Sequence, residues 1–271
     1  MSQKTVRKTF KKKDNVTLGY SDEGQGQTII FVHGTAAAAN RWQNVAEQFV
    51  KTHRVIQYDR RGRGQSSDND TYTLENEVDD LLALIDVLGN DVVVNIVAHS
   101  FGALVALAAL NKHLLLCRRL VLYEAPLAIP QKCEFIDMGL VSELERVLKD
   151  DGNEAATIFF QRKFPRTTEK EIEELKQLEN WSGRIAAAHT IARELRVAHD
   201  FSPDMDALME CKTPCLILLG GASNEVFEIS ATTLQKYLPN SKLEVLPDER
   251  HRAMDTAPDL LFRIVANHLN E

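Results

Sequence analysis

Cysteine is scarce in this chain, long apolar runs are missing, and positive charge is outnumbered. The four cysteines among 271 residues, Cys117, Cys133, Cys211 and Cys215, sit in or near apolar runs without histidines at metal-ligand spacing. They read as reduced, structural thiols. No apolar stretch reaches the roughly 20 residues that span a bilayer. No N-terminal segment joins a charged start, an apolar run and a small-residue cleavage site, so a cytoplasmic protein without a membrane partner is expected. With 32 Lys and Arg against 39 Asp and Glu, the formal net charge of -7 gives no support for a nucleic-acid partner. The one basic run, Lys4 to Lys13, alternates with Val6, Thr9 and Phe10 and reads as a lysine-blunted edge strand.

What is present is a soluble α/β composition, 44% hydrophobic and 26% charged, long enough for one α/β domain carrying an insertion. Val6 to Phe10 and Leu18 to Asp22 alternate around Lys12-Lys13-Asp14-Asn15, the pattern of an antiparallel hairpin. Short apolar runs at Thr28 to Val32, Arg54 to Tyr58, Asp91 to Val97, Leu120 to Tyr123, Pro214 to Leu219 and Leu243 to Leu246 read as buried parallel strands. Helical spacing at Arg41 to Val50, Leu74 to Leu88, Ala103 to Leu110 and Pro258 to Leu269 falls between them. The expected fold is therefore α/β, a mostly parallel sheet flanked by helices.

Between Glu124 and Pro214 lie about 90 residues with helical periodicity and no strand, far beyond an ordinary connection. They predict an inserted helical cap over 126–205, with helices at Leu140 to Leu148, Ala155 to Phe160, Glu169 to Leu178 and Ile185 to Val197. The core then comprises 1–125 and 206–271. Phe159, Phe160, Phe164 and Trp181 either roof a pocket or pack the interior of that cap.

The chemistry concentrates where an apolar strand runs into Ala98-His99-Ser100-Phe101-Gly102 and a helix follows. A serine on a sharp strand-to-helix turn needs small flanking residues, here Ala98 and Gly102, though the same serine also suits a helix N-cap. With His33-Gly34-Thr35, Asp59-Arg60-Arg61-Gly62-Arg63-Gly64-Gln65-Ser66 and the late His251, this stretch resembles the α/β-hydrolase fold family over nearly the whole chain. The resemblance implies Ser100 as nucleophile, His251 as general base, and backbone N–H groups of Thr35 and Phe101 as oxyanion donors. It implies structural or pocket-lining roles for His33 and His99 and treats the Asp59 to Ser66 loop as a structural turn, while Trp42, after the small-residue loop Thr35 to Asn40, either lines the substrate pocket or packs a helix.

The acid departs from the common pattern. Most family members carry an aspartate about three residues past the glycine that ends the strand at Leu219; here Ser223 stands there. Another branch ends the preceding strand with the acid, and this chain has Glu124 at that point. A carboxylate ending a buried strand needs a partner, which a protonated His251 would supply. Glu124 is the first choice, Glu225 the second and Asp248 the third.

The expected activity is metal-free, cofactor-free serine hydrolysis of a small ester, thioester, lactone or related acyl substrate. The same fold also supports carbon-carbon hydrolysis, haloperoxidase-like perhydrolysis, or a non-catalytic ligand- or protein-binding member. A serine at position 100 argues against the branches that use an aspartate nucleophile.

Overall fold

The computed structural model describes residues 7–89, 92–112, 117–127, 129 and 136–271. Lys4, Val6, Asp91, His113 and Cys133 lie outside them.

An eight-stranded sheet in the order β1-β2-β4-β3-β5-β6-β7-β8 forms the centre. The hairpin of β1 (Arg7–Lys11) and β2 (Thr17–Glu23) is antiparallel and pairs antiparallel to β4 (His53–Tyr58). From β3 (Gln27–Val32) and β4 onward every pairing is parallel, through β5 (Val94–His99), β6 (Cys117–Tyr123), β7 (Cys215–Gly220) and β8 (Ser241–Leu246). The apolar runs of the central strands are continuous because both faces are covered. Ile30, Ile56, Ile96, Leu122 and Ile217 enter one core layer, while Ile29, Phe31, Val55, Val97, Val121 and Leu216 enter the other.

One layer is closed by α1 (Gln43–Phe49) and the C-terminal α12 (Pro258–Asn270), which pack on each other, with the short α11 (Ala253–Thr256) beside them. The other takes α2 (Leu74–Leu88) and α3 (Phe101–Lys112). α2 starts where the sequence pattern expects it because Thr73 and Asn76 form a reciprocal capping box. Between β6 and β7 come α4 (Met138–Asp150), α5 (Gly152–Lys163), α6 (Glu169–Lys176), α7 (Trp181–Ala186), α8 (Ile191–Asp200) and α9 (Met205–Met209), and among the described residues no strand of the sheet. α10 (Glu225–Tyr237) links β7 to β8.

Three expectations need correction. The helix anticipated over Ile185 to Val197 is broken into α7, a 3-10 turn at Ala188–Thr190, and α8. Thr190 is buried, and its hydroxyl donates back to the Ala187 carbonyl at 2.8 Å while accepting from Arg63 at 2.9 Å. Back-bonding of this kind bends a helix, and here a core arginine holds the bend. Among the described residues of the run expected as a strand, Val92 and Val93 lie outside β5, which begins at Val94, and Val93 is exposed. The N-terminal basic run is not wholly solvated either: Lys12 is drawn onto buried Asp80 and Arg7 pairs with Asp59. Cys117, Cys211 and Cys215 are buried and unbridged, and among the described residues no helix is long and apolar enough to cross a membrane.

Candidate active site

Ser100 sits between β5 and α3 with φ 56°, left-handed backbone that a serine adopts only under constraint. Small neighbours make the turn possible. A Cβ on Gly102 would lie 2.6 Å from the carbonyl oxygens of both Val32 and His33, and one on Gly34 would lie 2.7 Å from the Ser100 Cβ. The Ser100 N–H donates to the Tyr123 carbonyl at 2.9 Å, which ties the turn to the end of β6.

Glu124 follows directly on that strand, also left-handed at φ 48°. Its Oε2 lies 2.6 Å from His251 Nδ1. Oε1 accepts the Gly220 N–H at 2.8 Å and a hydrogen bond from the Ser223 hydroxyl. Ser223, at the position where the family usually has its aspartate, thus donates to the carboxylate that β6 supplies. Glu225 and Asp248 are both exposed, and neither pairs with His251.

The His251 loop is held on both sides by Tyr123, whose hydroxyl donates to the Arg250 carbonyl and accepts the Ala253 N–H at 3.2 Å. The imidazole stacks on Phe227 at 4.6 Å and 17°, with His99 4.3 Å away on ring centroids. Ser100 and His251 border the same space, without a direct hydrogen bond among the described residues. Such bonds are commonly long before substrate binds.

His33 and Trp42 do not line that space. Both are fully buried. The Arg60 N–H donates to His33 Nε2 at 3.1 Å, so Nδ1 carries the proton and donates to the Gly34 carbonyl at 2.9 Å. Burial, then the charges of Arg60 and Arg63, hold His33 well below the usual histidine range, so it is a neutral strut. Trp42 packs on Phe31 at 5.3 Å and edge-on to His99 at 6.2 Å. His99 does border the space, kept neutral by burial first and then by His251 and Arg41.

Beneath the Gly34–Thr35 turn lies a set of residues that the motif reading passes over. Arg60 donates to the carbonyls of His33 and Gly34 at 3.1 and 3.2 Å. In a trans peptide the Gly34 carbonyl and the Thr35 N–H point opposite ways, so this anchor turns the Thr35 N–H away from Arg60. The same guanidinium lies 4.6 Å over the Phe101 ring, at the first residue of α3. Arg60 and Arg63 are neutralised by Glu77 of α2 and Glu194 of α8, and all four side chains are inaccessible to solvent. Asp59 accepts from the backbone of Ala39 and Gln65, and a Cβ on Gly64 would strike its carboxylate.

The space over Ser100 has two lobes of about 20 Å³ each. One is apolar, with Pro126, Ile136, Phe160, Phe164, Leu195 and Phe227. The other is polar, with Arg41, His99, Gln161, Arg184 and Arg252. Phe160 and Phe164 stack at 5.7 Å over the apolar lobe, whereas Trp181 is buried among the helices between β6 and β7, its Nε1 donating to Glu154. A larger cleft of about 570 Å³ between α2, α3 and the end of α8 is lined by Glu75, Asp200 and Asp204 but holds none of the convergent groups above.

The Alpha/beta hydrolase family model matches residues 29–264. The (E)-2-((N-methylformamido)methylene)succinate hydrolase of Acinetobacter baylyi is 26% identical over 264 residues, covering 94% of both chains. The cis-3-alkyl-4-alkyloxetan-2-one decarboxylase of Shewanella oneidensis is 30% identical over 120 residues, 43% of this chain and only 38% of that protein. An alpha/beta hydrolase from Sphaerobacter thermophilus superposes with TM-score 0.84 at 26% identity, over 97% of this chain and 100% of its own. Parallel sheet, serine turn, histidine loop and family match agree, and the chain is an enzyme of the alpha/beta hydrolase family.

Proposed function

We propose that the chain is a serine hydrolase of small acyl compounds, such as esters, thioesters or lactones, working through Ser100, His251 and Glu124. The observation that carries this reading is the 2.6 Å contact of Glu124 with His251 Nδ1, beside a serine strained into the left-handed region. With Nδ1–H donated to Glu124, Nε2 is the basic nitrogen. Ser100 Oγ attacks the carbonyl, and His251 takes its proton and returns it to the leaving group. Glu124, already held by Gly220 and Ser223, stabilises the imidazolium. The N–H groups of Thr35 and Phe101 receive the oxyanion, the second reinforced by the N-terminus of α3. Water then releases the acyl group. Residues 126–205 act as a cap that excludes bulk water and sets substrate size.

Intact-mass labelling with a serine-directed fluorophosphonate tests this. One adduct is expected on the native chain, none on Ser100→Ala, and much slower labelling of His251→Ala and Glu124→Gln. No adduct on folded native protein sinks the reading in favour of a ligand-binding member. A labelled enzyme that releases a carboxylate from a dione is a carbon-carbon hydrolase instead, and turnover that requires peroxide marks a perhydrolase.

A further inference from the structure

Three arginines converge on the polar lobe beside Ser100, from separate parts of the chain. Arg41 comes from the turn before α1, Arg184 from α7 and Arg252 from the residue after His251. All three are buried, with residue exposures of 5%, 4% and 7%. Arg41 is paired with Asp255. Arg252 spans to the cap, donating to the Glu171 carbonyl at 2.8 Å and to Glu174 at 2.9 Å, but Glu174 is half exposed. Its Nε has no hydrogen-bond partner among the described residues.

Arg184 is the least compensated. Its Nε donates to Asn180 at 3.1 Å, while Nη2 has no hydrogen-bond partner and stands 3.9 Å from Asp255 Oδ2, whose carboxylate pairs through Oδ1 with Arg41, so one anion serves two guanidiniums. Burial, followed by the charge of Arg41, pushes its guanidinium down to about 9. A buried cation that shares its anion with a second guanidinium is costly, and proteins neutralise or pair such groups. A planar guanidinium with a free donor edge suits a carboxylate.

We infer that the polar lobe is a carboxylate subsite, with Arg184 as its principal donor and Arg41 and Arg252 completing its field. Resting on the serine-hydrolase reading, this names the substrate class. The scissile carbonyl sits at Ser100, an apolar flank fills the lobe of Phe160, Phe164 and Phe227, and a carboxylate on the other flank meets the arginines. A phenyl ring or alkyl chain in the polar lobe would leave the guanidinium Nη2 buried and unpaired, so neutral esters are disfavoured there.

The test compares matched substrates on one enzyme. 4-Nitrophenyl hydrogen glutarate and 4-nitrophenyl pentanoate differ in a terminal carboxylate, and the O-acetyl ester of a hydroxy acid against the acetate of an alcohol of equal length places the charge on the leaving side. The native enzyme is expected to favour the charged member of one pair by at least 10-fold in kcat/KM, mostly through KM. In Arg184→Met that ratio should fall to near one, and Arg184→Lys should restore part of it. A native ratio near one in both pairs, or a ratio unchanged in a folded Arg184→Met, overturns the subsite and leaves the arginines as cap fasteners. Calorimetric titration of Ser100→Ala with monomethyl glutarate against methyl pentanoate reads the subsite without chemistry. Charge-selective binding there, together with absent fluorophosphonate labelling of the native chain, upholds the subsite and refutes the hydrolase. Labelling without charge selectivity does the reverse.

Discussion

Neutralising Glu77 is the sharpest probe of how this site is supported. Burial alone would raise its carboxyl, but the charges of Arg60 and Arg63 and hydrogen bonds from Arg60 and Tyr72 bring it down from 4.5 to about 2. That displacement corresponds to about 3 kcal/mol in favour of the folded, ionised form. The independent expectation for breaking a buried ion pair is about 3–5 kcal/mol. In Glu77→Gln two enclosed guanidiniums would share Glu194 alone, so urea unfolding at pH 7 should show a loss of about 3 kcal/mol.

The pH dependence supplies the check. Because the folded-state value is depressed, the contribution is complete above about pH 4.5 and is lost as pH falls towards 2. The gap between native and Glu77→Gln should therefore narrow to about half by pH 3. A variant as stable as the native chain at pH 7, or a gap that stays constant down to pH 3, would refute the electrostatic account. Since Arg60 also grips the His33 and Gly34 carbonyls, a fall in kcat should accompany the loss.

Ser223→Ala removes one of two donors to Glu124 Oε1 and should lower kcat/KM about 10-fold, the value of roughly one charge-assisted hydrogen bond. Glu124→Gln combined with Ser223→Asp should recover part of the activity lost in Glu124→Gln, whereas Ser223→Asp alone sets two carboxylates together and should raise the acid limb of the pH–rate profile. Tyr123→Phe frees the His251 loop from both its ties and should reduce kcat with little change in KM, read by steady-state kinetics. Gly102→Ala drives a methyl into two backbone carbonyls and should cost about 1–3 kcal/mol in urea unfolding.

Much of the scaffold was legible because its signals are local. The Leu74–Leu88 face, the capping residue Thr73 and the continuous apolar strands declare themselves within a few residues. Glu124 was readable as a carboxylate in need of a partner, and the structure sets it against His251. α10 is legible only weakly, since Phe227, Ala231 and Leu234 recur at helical spacing but the helix starts without a side-chain cap. The break at Thr190 has no local cause, since the residue that holds it is Arg63, 127 positions away. Arg60, Arg63, Glu77 and Glu194 escaped for a related reason: charged residues read as surface until folding brings opposite signs together. The three arginines of the polar lobe are equally scattered in sequence.

Glu124 and Ser223 reach the same spot from neighbouring strands. What the histidine requires is negative charge at a point in space, and two places on the chain address that point. A chain bearing carboxylates at both would keep one within reach of the histidine if either were lost, so the charge can pass from one strand to the other without leaving the imidazole unpaired. A search for catalytic members that demands aspartate after the seventh strand would discard chains built like this one. A search for any carboxylate within reach of the late histidine would keep them.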